Sequence, residues 1–359
     1  MLKEYENYFQ GKNIIVTGGL GFIGSNLVNR LAKLNPARII IIDSKVPGLG
    51  ANLFNIKEIE HKVEIPDINS QGLDMSNTEK IKELLNKGID CVFNLAGSVS
   101  HIGGKNSPLN DLDLNLRTHV SFLQACREHI EKEGISSPKV LFTGTRDQYG
   151  RVSDKELPAR EEFTIKEMVD PQGIHNNAAE FHHFWYRQFG IKSTSLRLAN
   201  TYGPRHPMAH PSQGFANWFI RQAMNNEQIQ LWGGGVSLRD FNYVDDVVEA
   251  LLMAMASPKT DGQVYNLGAF RRKNGKYEEV CGNIKTVSEI ANLITKIAQS
   301  GSCVEIPYPE EKRSIEVGHF YSDTTKIYNE LGWEPQVPIE EGIRRTIEFY
   351  RKYKENYWN

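Results

Sequence analysis

The chain has 359 residues, of which 40% are hydrophobic, and a formal net charge of −2. This length predicts one large domain or two closely associated ones, and the near-neutral charge excludes the basic footprint of a nucleic-acid partner. The longest apolar runs fall far short of the about 20 residues that span a bilayer, so we expect no membrane partner. The four scattered cysteines have neither metal nor redox spacing, which predicts a reduced cytoplasmic protein without a metal.

Apolar strands alternate with helical patterns through the first two-thirds of the chain. The predicted strands are Asn13–Val16, Arg38–Ile42, Cys91–Leu95, Lys139–Phe142 and Lys192–Arg197. The predicted helices are Ser25–Leu34, Thr78–Leu85, Leu116–Glu131 and Asn176–Phe189. This alternation is typical of a Rossmann-type α/β fold with a doubly wound parallel sheet, in which ligands bind at the carboxyl ends of the strands.

The last third of the chain mixes helices with short strands and predicts a smaller α/β lobe closing over the sheet. Residues 268–285 carry many charges and are predicted to form an exposed loop. Residues 339–353 have apolar side chains at helical spacing and predict a final helix.

Three glycines, Gly18, Gly21 and Gly24, lie between the first strand and the first helix. The first permits a tight turn, the second lets a pyrophosphate approach the backbone, and the third lets helix and strand pack closely. Free N–H groups at the start of the helix would bind the phosphates. Asp43 ends the second strand, where a carboxylate binds ribose hydroxyls and repels a 2′-phosphate. The pattern favours NAD over NADP, although Lys45 lies close to this acid.

Further motifs follow the later strands. They are Asn94-Leu95-Ala96-Gly97, Thr143-Gly144-Thr145-Arg146-Asp147-Gln148-Tyr149-Gly150, the segment 196–205 and the segment 239–246. With the glycine turn, they resemble the extended short-chain dehydrogenase/reductase family, and within it the NAD-dependent nucleotide-sugar epimerases and dehydratases. The resemblance extends over about residues 11 to 350.

The resemblance implies a role for each matching position. The cofactor-binding positions are Gly18, Gly21, Phe22, Ile23, Gly24, Asp43, Asp74, Met75, Leu95, Ala96, Gly97 and Asn176. Thr145 matches the catalytic hydroxyl, and Asn200 and Arg239 match the contacts to the substrate diphosphate. The loop that contains His101 and Lys105 would border the sugar.

The family's Tyr-x-x-x-Lys pair, in which the lysine lowers the tyrosine pKa so that the phenolate can take a sugar proton, is missing from this chain. Gln172 and Asn176 stand at the two positions. Gln172 cannot act as a base. Asn176 can still donate a hydrogen bond to a nicotinamide ribose, but it lacks the positive charge of a lysine. His175 is the leading alternative acid–base group because it shares part of that helix face and because histidine is the residue type whose intrinsic pKa is near neutrality. The further candidates are Asp147, Tyr149, His101 and Lys105.

These features leave three functions open. The first is an NAD-dependent nucleotide-sugar epimerase that acts by transient oxidation with non-standard acid–base residues. The second is a nucleotide-sugar dehydratase, which is less favoured because many family dehydratases have Asp-Glu after the catalytic hydroxyl, whereas this chain has Arg146-Asp147. The third is a non-catalytic relative that binds NAD and a nucleotide diphosphate sugar.

The resemblance also implies a domain division and an oligomeric state. Residues 1–200, with 239–266 returning, would bind NAD, and residues 201–238 and 267–359 would bind the nucleotide sugar. The predicted helices Leu116–Glu131 and Asn176–Phe189 would pack against their copies in a homodimer.

Overall fold

The computed structural model describes residues 4–67, 72–134, 137–210, 214–310, 313 and 316–358. The strands are β1 (Asn13–Thr17), β2 (Arg38–Ile42), β3 (Cys91–Asn94), β4 (Lys139–Thr145), β5 (Ser193–Leu198), β6 (Asn200–Tyr202), β7 (Gln228–Trp232), β8 (Leu238–Tyr243), β9 (Val264–Leu267), β10 (Phe270–Lys273), β11 (Lys276–Glu279), β12 (Ile284–Thr286) and β13 (Ser302–Ile306). The helices are α1 (Phe22–Leu31), α2 (Thr78–Leu85), α3 (His101–Asn106), α4 (Pro108–Leu112), α5 (Thr118–Glu133), α6 (Pro171–Trp185), α7 (Phe215–Met224), α8 (Val244–Ala256), α9 (Val287–Ala298), α10 (Thr325–Leu331) and α11 (Ile339–Tyr353).

The main sheet has six parallel strands in the order β2-β1-β3-β4-β5-β9. Alternate side chains of β1 point to opposite faces of this sheet. Ile14 and Val16 pack against α1 and α8 on one face, and Ile15 packs against α2 and α5 on the other. Both faces are therefore covered, which explains the continuous apolar strands of the sequence and confirms the predicted fold class.

The remaining strands build the smaller lobe. A three-stranded sheet has the order β12-β8-β6, and β13 pairs in parallel with β7. The side chains of α7, α9 and α11 form a separate apolar core there. Within residues 239–266, β8 lies in this second lobe, whereas α8 and β9 return to the main sheet.

Helix α6 begins five residues before its predicted start at Asn176. Asp170 accepts a hydrogen bond from the Gly173 backbone N–H at 2.9 Å, and Pro171 occupies the first helical position. This pair is a strong helix-start signal. It places Gln172 and Asn176 in the first turns of the helix, beside the carboxyl ends of the strands.

The expected loop over residues 268–285 is wrong, because the segment is largely regular structure, although residues 272–276 and 278–279 are exposed as predicted. This segment contains the antiparallel hairpin β10–β11 and the strand β12. Arg271 is buried because its guanidinium contacts Glu278 at 3.0 Å and Glu334 at 2.6 Å. Two carboxylates from different parts of the lobe thus compensate a charge that the local sequence places at the surface.

Among the described residues, no helix is both long and apolar enough to cross a membrane.

A buried ion pair joins α6 to β5. The Arg197 guanidinium contacts both carboxylate oxygens of Glu180, at 2.6 and 3.1 Å, and the Ser195 hydroxyl donates to the same carboxylate. The side chains of Arg197 and Glu180 are 9% and 2% exposed. The buried charges of Arg197 and Glu180 therefore stabilise each other and offset the cost of removing both from water.

We expect Arg197→Met to lower the free energy of unfolding by about 3–5 kcal/mol, because it leaves the Glu180 carboxylate buried and unpaired. Urea denaturation of the NAD-bound protein measures the loss. The matched control is Arg38→Met, which breaks an exposed 3.7 Å contact with Glu64 and should cost less than about 1 kcal/mol. Equal losses in the two variants would contradict this account of the pair.

Candidate active site

A cleft of about 800 Å³ lies at the carboxyl ends of β1 to β5 and extends under the smaller lobe. It is lined by residues of the glycine turn, of the loops after β2, β3 and β4, and of α6, α7 and β8. The strand order reverses between β1 and β3. The crevice at such a reversal is where ligands of these sheets bind.

The glycine turn fits a phosphate group. Gly18 has φ of +64°, which favours glycine. A Cβ on Gly24 would lie 2.2 Å from the Gly18 carbonyl oxygen, so only glycine allows α1 to start this close to β1. The turn therefore leaves a cradle of backbone at the positive end of the α1 dipole.

Asp43 lies at the end of β2 and accepts hydrogen bonds from the backbone N–H groups of Leu20 (3.0 Å) and Lys45 (2.9 Å). Burial raises the pKa of Asp43, and these two hydrogen bonds offset part of the effect. The carboxylate borders the cleft and has further acceptor capacity for hydroxyl donors.

All the residues to which the sequence assigned a cofactor role line the same cleft: Gly18, Gly21, Phe22, Ile23, Gly24, Asp43, Asp74, Met75, Leu95, Ala96, Gly97 and Asn176. A buried network supports the β3 end of this set. The Thr17 hydroxyl donates to Asn94 and accepts from the backbone N–H groups of Leu95 and Ala96. The Asn94 amide in turn contacts His119, in which burial lowers the pKa to about 4.

Thr145 both caps a turn and borders the cleft. Its hydroxyl donates to Asp147 Oδ2 at 2.8 Å, and its backbone N–H donates to Gln148 at 2.8 Å. Asp147 is buried, and its other oxygen lies 3.3 Å from the Arg146 guanidinium. Burial opposes ionisation of Asp147, but the nearby positive charges of Arg146 and His101 outweigh it and lower the pKa of this carboxyl.

His101 lies in α3, where the sequence predicted a loop. Its Nδ1 contacts Asp170 Oδ2 in a short hydrogen bond, and its Nε2 lies 3.7 Å from Asp147 Oδ2. Burial by itself disfavours the imidazolium ion, but the charge of Asp147 and the hydrogen bond and charge of Asp170 outweigh it and raise the pKa of His101. His101 lines the cleft beside Thr145.

Three neighbouring α6 residues have different surroundings. Gln172 and Asn176 line the cleft, and the Gln172 Oε1 atom makes no hydrogen bond within the described part of the chain. His175 is not among the lining residues, because its Nδ1 contacts Asp111 of α4 at 2.6 Å. The His175 imidazole would have to break this contact before it could reach the cleft.

The other end of the cleft contains the two predicted diphosphate contacts. Asn200 lines it and donates to the Asp240 carbonyl at 3.0 Å. The buried Arg239 guanidinium lies 3.1 Å from Glu316. Burial and the like charge of Arg146 lower the pKa of Arg239, and the carboxylates of Glu316 and Asp147 offset part of this effect. Lys105 is exposed and lies outside the described lining.

Three residues of the site are not identified from the sequence: Glu316 and Tyr308, which line the cleft, and Asp170, which contacts the lining residue His101. The Asp-Pro pair at 170–171 is a local signal that could have identified Asp170 as a capping acid. Glu316, which accepts a hydrogen bond from Tyr308 at 2.7 Å, carries no periodic or motif signal. In the part of the chain that the structure describes, no group of three His, Cys, Asp or Glu side chains could hold a metal ion.

The family model described as "NAD dependent epimerase/dehydratase family" matches residues 14–268. The chain belongs to this family. Its members are NAD-dependent enzymes, so the predicted family, enzymatic character and NAD cofactor are confirmed. The residues present fit this cofactor, because a Cβ on Gly24 would fill the cradle at the start of α1.

The individual relatives include both a dehydratase and epimerases. Human dTDP-D-glucose 4,6-dehydratase is 28% identical over 355 residues, which cover 97% of this chain and 92% of the relative. The UDP-glucose 4-epimerase of Thermotoga maritima is 28% identical with a TM-score of 0.78, and the match covers 95% of this chain and 99% of that chain. An epimerase of Methanothermobacter thermautotrophicus shares the fold, with a TM-score of 0.82 at 22% identity over 98% of this chain and 96% of that one.

We expect Gly24→Ala to raise the Kd for NAD by about tenfold or more, which corresponds to about 1.4 kcal/mol. The new Cβ displaces the Gly18 carbonyl and opens the cradle. Isothermal titration calorimetry measures the change.

The control variant is Gly134→Ala, at the left-handed residue that ends α5, where a Cβ meets nothing within 4 Å. The Gly134→Ala substitution strains the backbone at a residue with positive φ, but this residue does not line the cleft. NAD affinity should therefore persist in this variant, and an unchanged Kd in Gly24→Ala would contradict the role of the turn.

Proposed function

We propose that this enzyme epimerises a nucleoside diphosphate sugar by transient oxidation of one sugar carbinol. When bound, NAD supplies an acceptor for the hydride of that carbon and can return it to the opposite face. The chain must bind the diphosphate, orient the sugar and move the hydroxyl proton. The observation that carries the proposal is the cleft, in which the Arg239 guanidinium and the Thr145 hydroxyl border the same space as the glycine turn.

The residues after Thr145 favour epimerisation over dehydration. Loss of water from a sugar needs an acid for the departing hydroxyl and a base for the neighbouring C–H proton. A guanidinium group gives up no proton in a protein, so Arg146 can serve as neither the acid nor the base. The Asp147 carboxyl contacts Thr145, and its lowered pKa keeps it ionised near neutral pH, so it has no proton to donate. Transient oxidation needs only one proton acceptor, which this site can supply.

The contacts of the cleft suggest a separate role for each polar side chain. The Thr145 hydroxyl donates its own hydrogen to the Asp147 carboxylate and accepts from the Asp147 backbone N–H at 3.3 Å, which leaves one lone pair for a sugar hydroxyl. Gln172 borders the cleft and would contact the sugar, and Asn176 would hold the nicotinamide ribose. Asn200 and Arg239 would bind the diphosphate, with Arg239 as a charge-assisted donor.

The domain division belongs to this proposal. Residues 1–200 and most of 239–266 would hold NAD, and residues 201–238 and 267–359 would hold the nucleotide sugar, because the cleft draws its lining from both groups. We also propose a cytoplasmic location. All four cysteines are free thiols, which is typical of a reducing compartment.

Proton NMR and mass spectrometry test the reaction, with the protein, NAD and a panel of UDP-, CDP-, GDP- and dTDP-sugars in deuterated water. We expect one sugar to change configuration without incorporation of solvent deuterium, because the hydride returns to the carbon that it left. Loss of water with deuterium on a sugar carbon would instead show a dehydratase. Binding of NAD and a nucleotide sugar without any conversion would show a non-catalytic relative.

We further propose a homodimer formed through α6. Its residues Ile174, Phe181 and Trp185 are 49%, 65% and 52% exposed. Their spacing of seven and four residues puts them on one face of the helix. Such an exposed apolar stripe is typical of a protein interface. The family resemblance assigns this helix to the dimer contact.

We expect light scattering after gel filtration to give about twice the chain mass of 40.8 kDa. Trp185→Glu should shift the protein to the monomer, because it places a charge in the apolar contact. The matched control is Leu53→Glu, at a 50% exposed residue of the 3-10 helix Leu53–Lys62, which should stay dimeric. A monomeric wild-type protein, or a dimeric Trp185→Glu variant, would refute this interface.

A further inference from the structure

The proposed reaction leaves one chemical task without an obvious agent. A sugar hydroxyl that becomes a carbonyl must give up its proton, and an acceptor must later return it. Gln172 stands where the resembling family has a tyrosine, and an amide does not titrate in this range.

The described side chains offer few acceptors near Thr145. Tyr149 is fully buried, donates its hydroxyl to Asn266 and is absent from the cleft lining. Burial raises its pKa further. His175 faces Asp111 outside the lining. Asp147 has a lowered pKa and is therefore a weak base.

His101 has the geometry of an acid–base group. Its Nδ1 is bound by the Asp170 carboxylate, which fixes the ring and the tautomer and leaves Nε2 to exchange a proton. Nε2 lies 3.7 Å from Asp147 Oδ2, the oxygen that accepts the Thr145 hydroxyl at 2.8 Å. The imidazole nitrogen and the Thr145 hydroxyl thus border one carboxylate oxygen at the wall of the cleft.

We propose that His101 is the catalytic acid–base residue, with Asp170 and Asp147 as its positioning residues. This inference rests on the proposed function. Nε2 takes the proton of the reacting hydroxyl as the C–O bond becomes a double bond and the hydride of the same carbon passes to the cofactor. His101 returns that proton to the oxygen when the hydride returns, so no proton or electron pair is gained or lost.

The surroundings of His101 give the proposal a pH signature. The charged groups that face it are Asp147, Asp170 and the more distant Arg146. Burial and Arg146 lower the His101 pKa, but the two carboxylates outweigh them and raise it above the ordinary value near 6.5. The neutral base predominates only above this raised pKa. Activity should therefore rise with pH along a limb that lies above the ordinary histidine range.

The first test compares three variants of the NAD-bound protein. His101→Gln should lower kcat by on the order of 10² to 10⁴-fold while NAD affinity is kept. His175→Gln tests the competing histidine and should lower kcat less than His101→Gln. The matched control is His61→Gln, an exposed histidine of the 3-10 helix Leu53–Lys62, which should match the wild type.

The second test measures the pKa itself, through the His101 Cε1–H resonance in the NMR spectrum of histidine-labelled protein. Asp170→Asn keeps an oxygen for the Gly173 N–H, because asparagine also caps helices well. It removes the charge that faces Nδ1. We expect the His101 resonance and the lower limb of the kcat/KM profile to move together to lower pH.

The outcomes separate the two proposals. If the wild type epimerises a sugar and His101→Gln keeps its kcat within threefold, the role of His101 is overturned and the proposed function stands. The role of His101 is also overturned if the lower limb of the kcat/KM profile does not move in Asp170→Asn. If the wild type converts no nucleotide sugar, the proposed function fails and the role of His101 fails with it.

Discussion

Parallel pairing of the strands is the constraint on which the site depends. Strands that all run in one direction bring their carboxyl ends to one edge of the sheet. The glycine turn, Asp43, Leu95 and Thr145 are distant in sequence and become neighbours for this reason alone. The edge also exposes backbone N–H groups where α1 begins, so an anionic cofactor meets a matching partial charge.

A second constraint is the start of α6. The Asp170 carboxylate caps this helix with one oxygen and binds His101 with the other. One side chain thus sets the position of Gln172 and Asn176 and also fixes the His101 imidazole of α3. Asp170 thus caps α6 and also contacts a residue that is distant in sequence. The capping carboxylate and the His101 imidazole therefore lie at the same wall of the site.

The charges of the cleft alternate in sign along its length. Asp170, His101, Asp147 and Arg146 form a connected series near Thr145, and Arg239 and Glu316 form a pair at the far end. Each ion is stabilised by a neighbour of opposite sign, which is how a partly buried site keeps titratable groups charged. The resulting field raises the pKa of His101 and lowers that of Asp147, which makes the imidazole the better base.

The sequence by itself determined the alternating α/β pattern, the glycine turn and Asp43, because these depend on local periodicity and on spacing within one strand–turn–helix unit. It also exposed the loss of the tyrosine and lysine at Gln172 and Asn176. Only the tertiary structure decided which histidine faces the cleft. The sequence favoured His175 over His101, but the orientations of the two side chains follow from contacts to Asp111 and Asp170. Such contacts join residues 64 or more positions apart, and no local pattern encodes them.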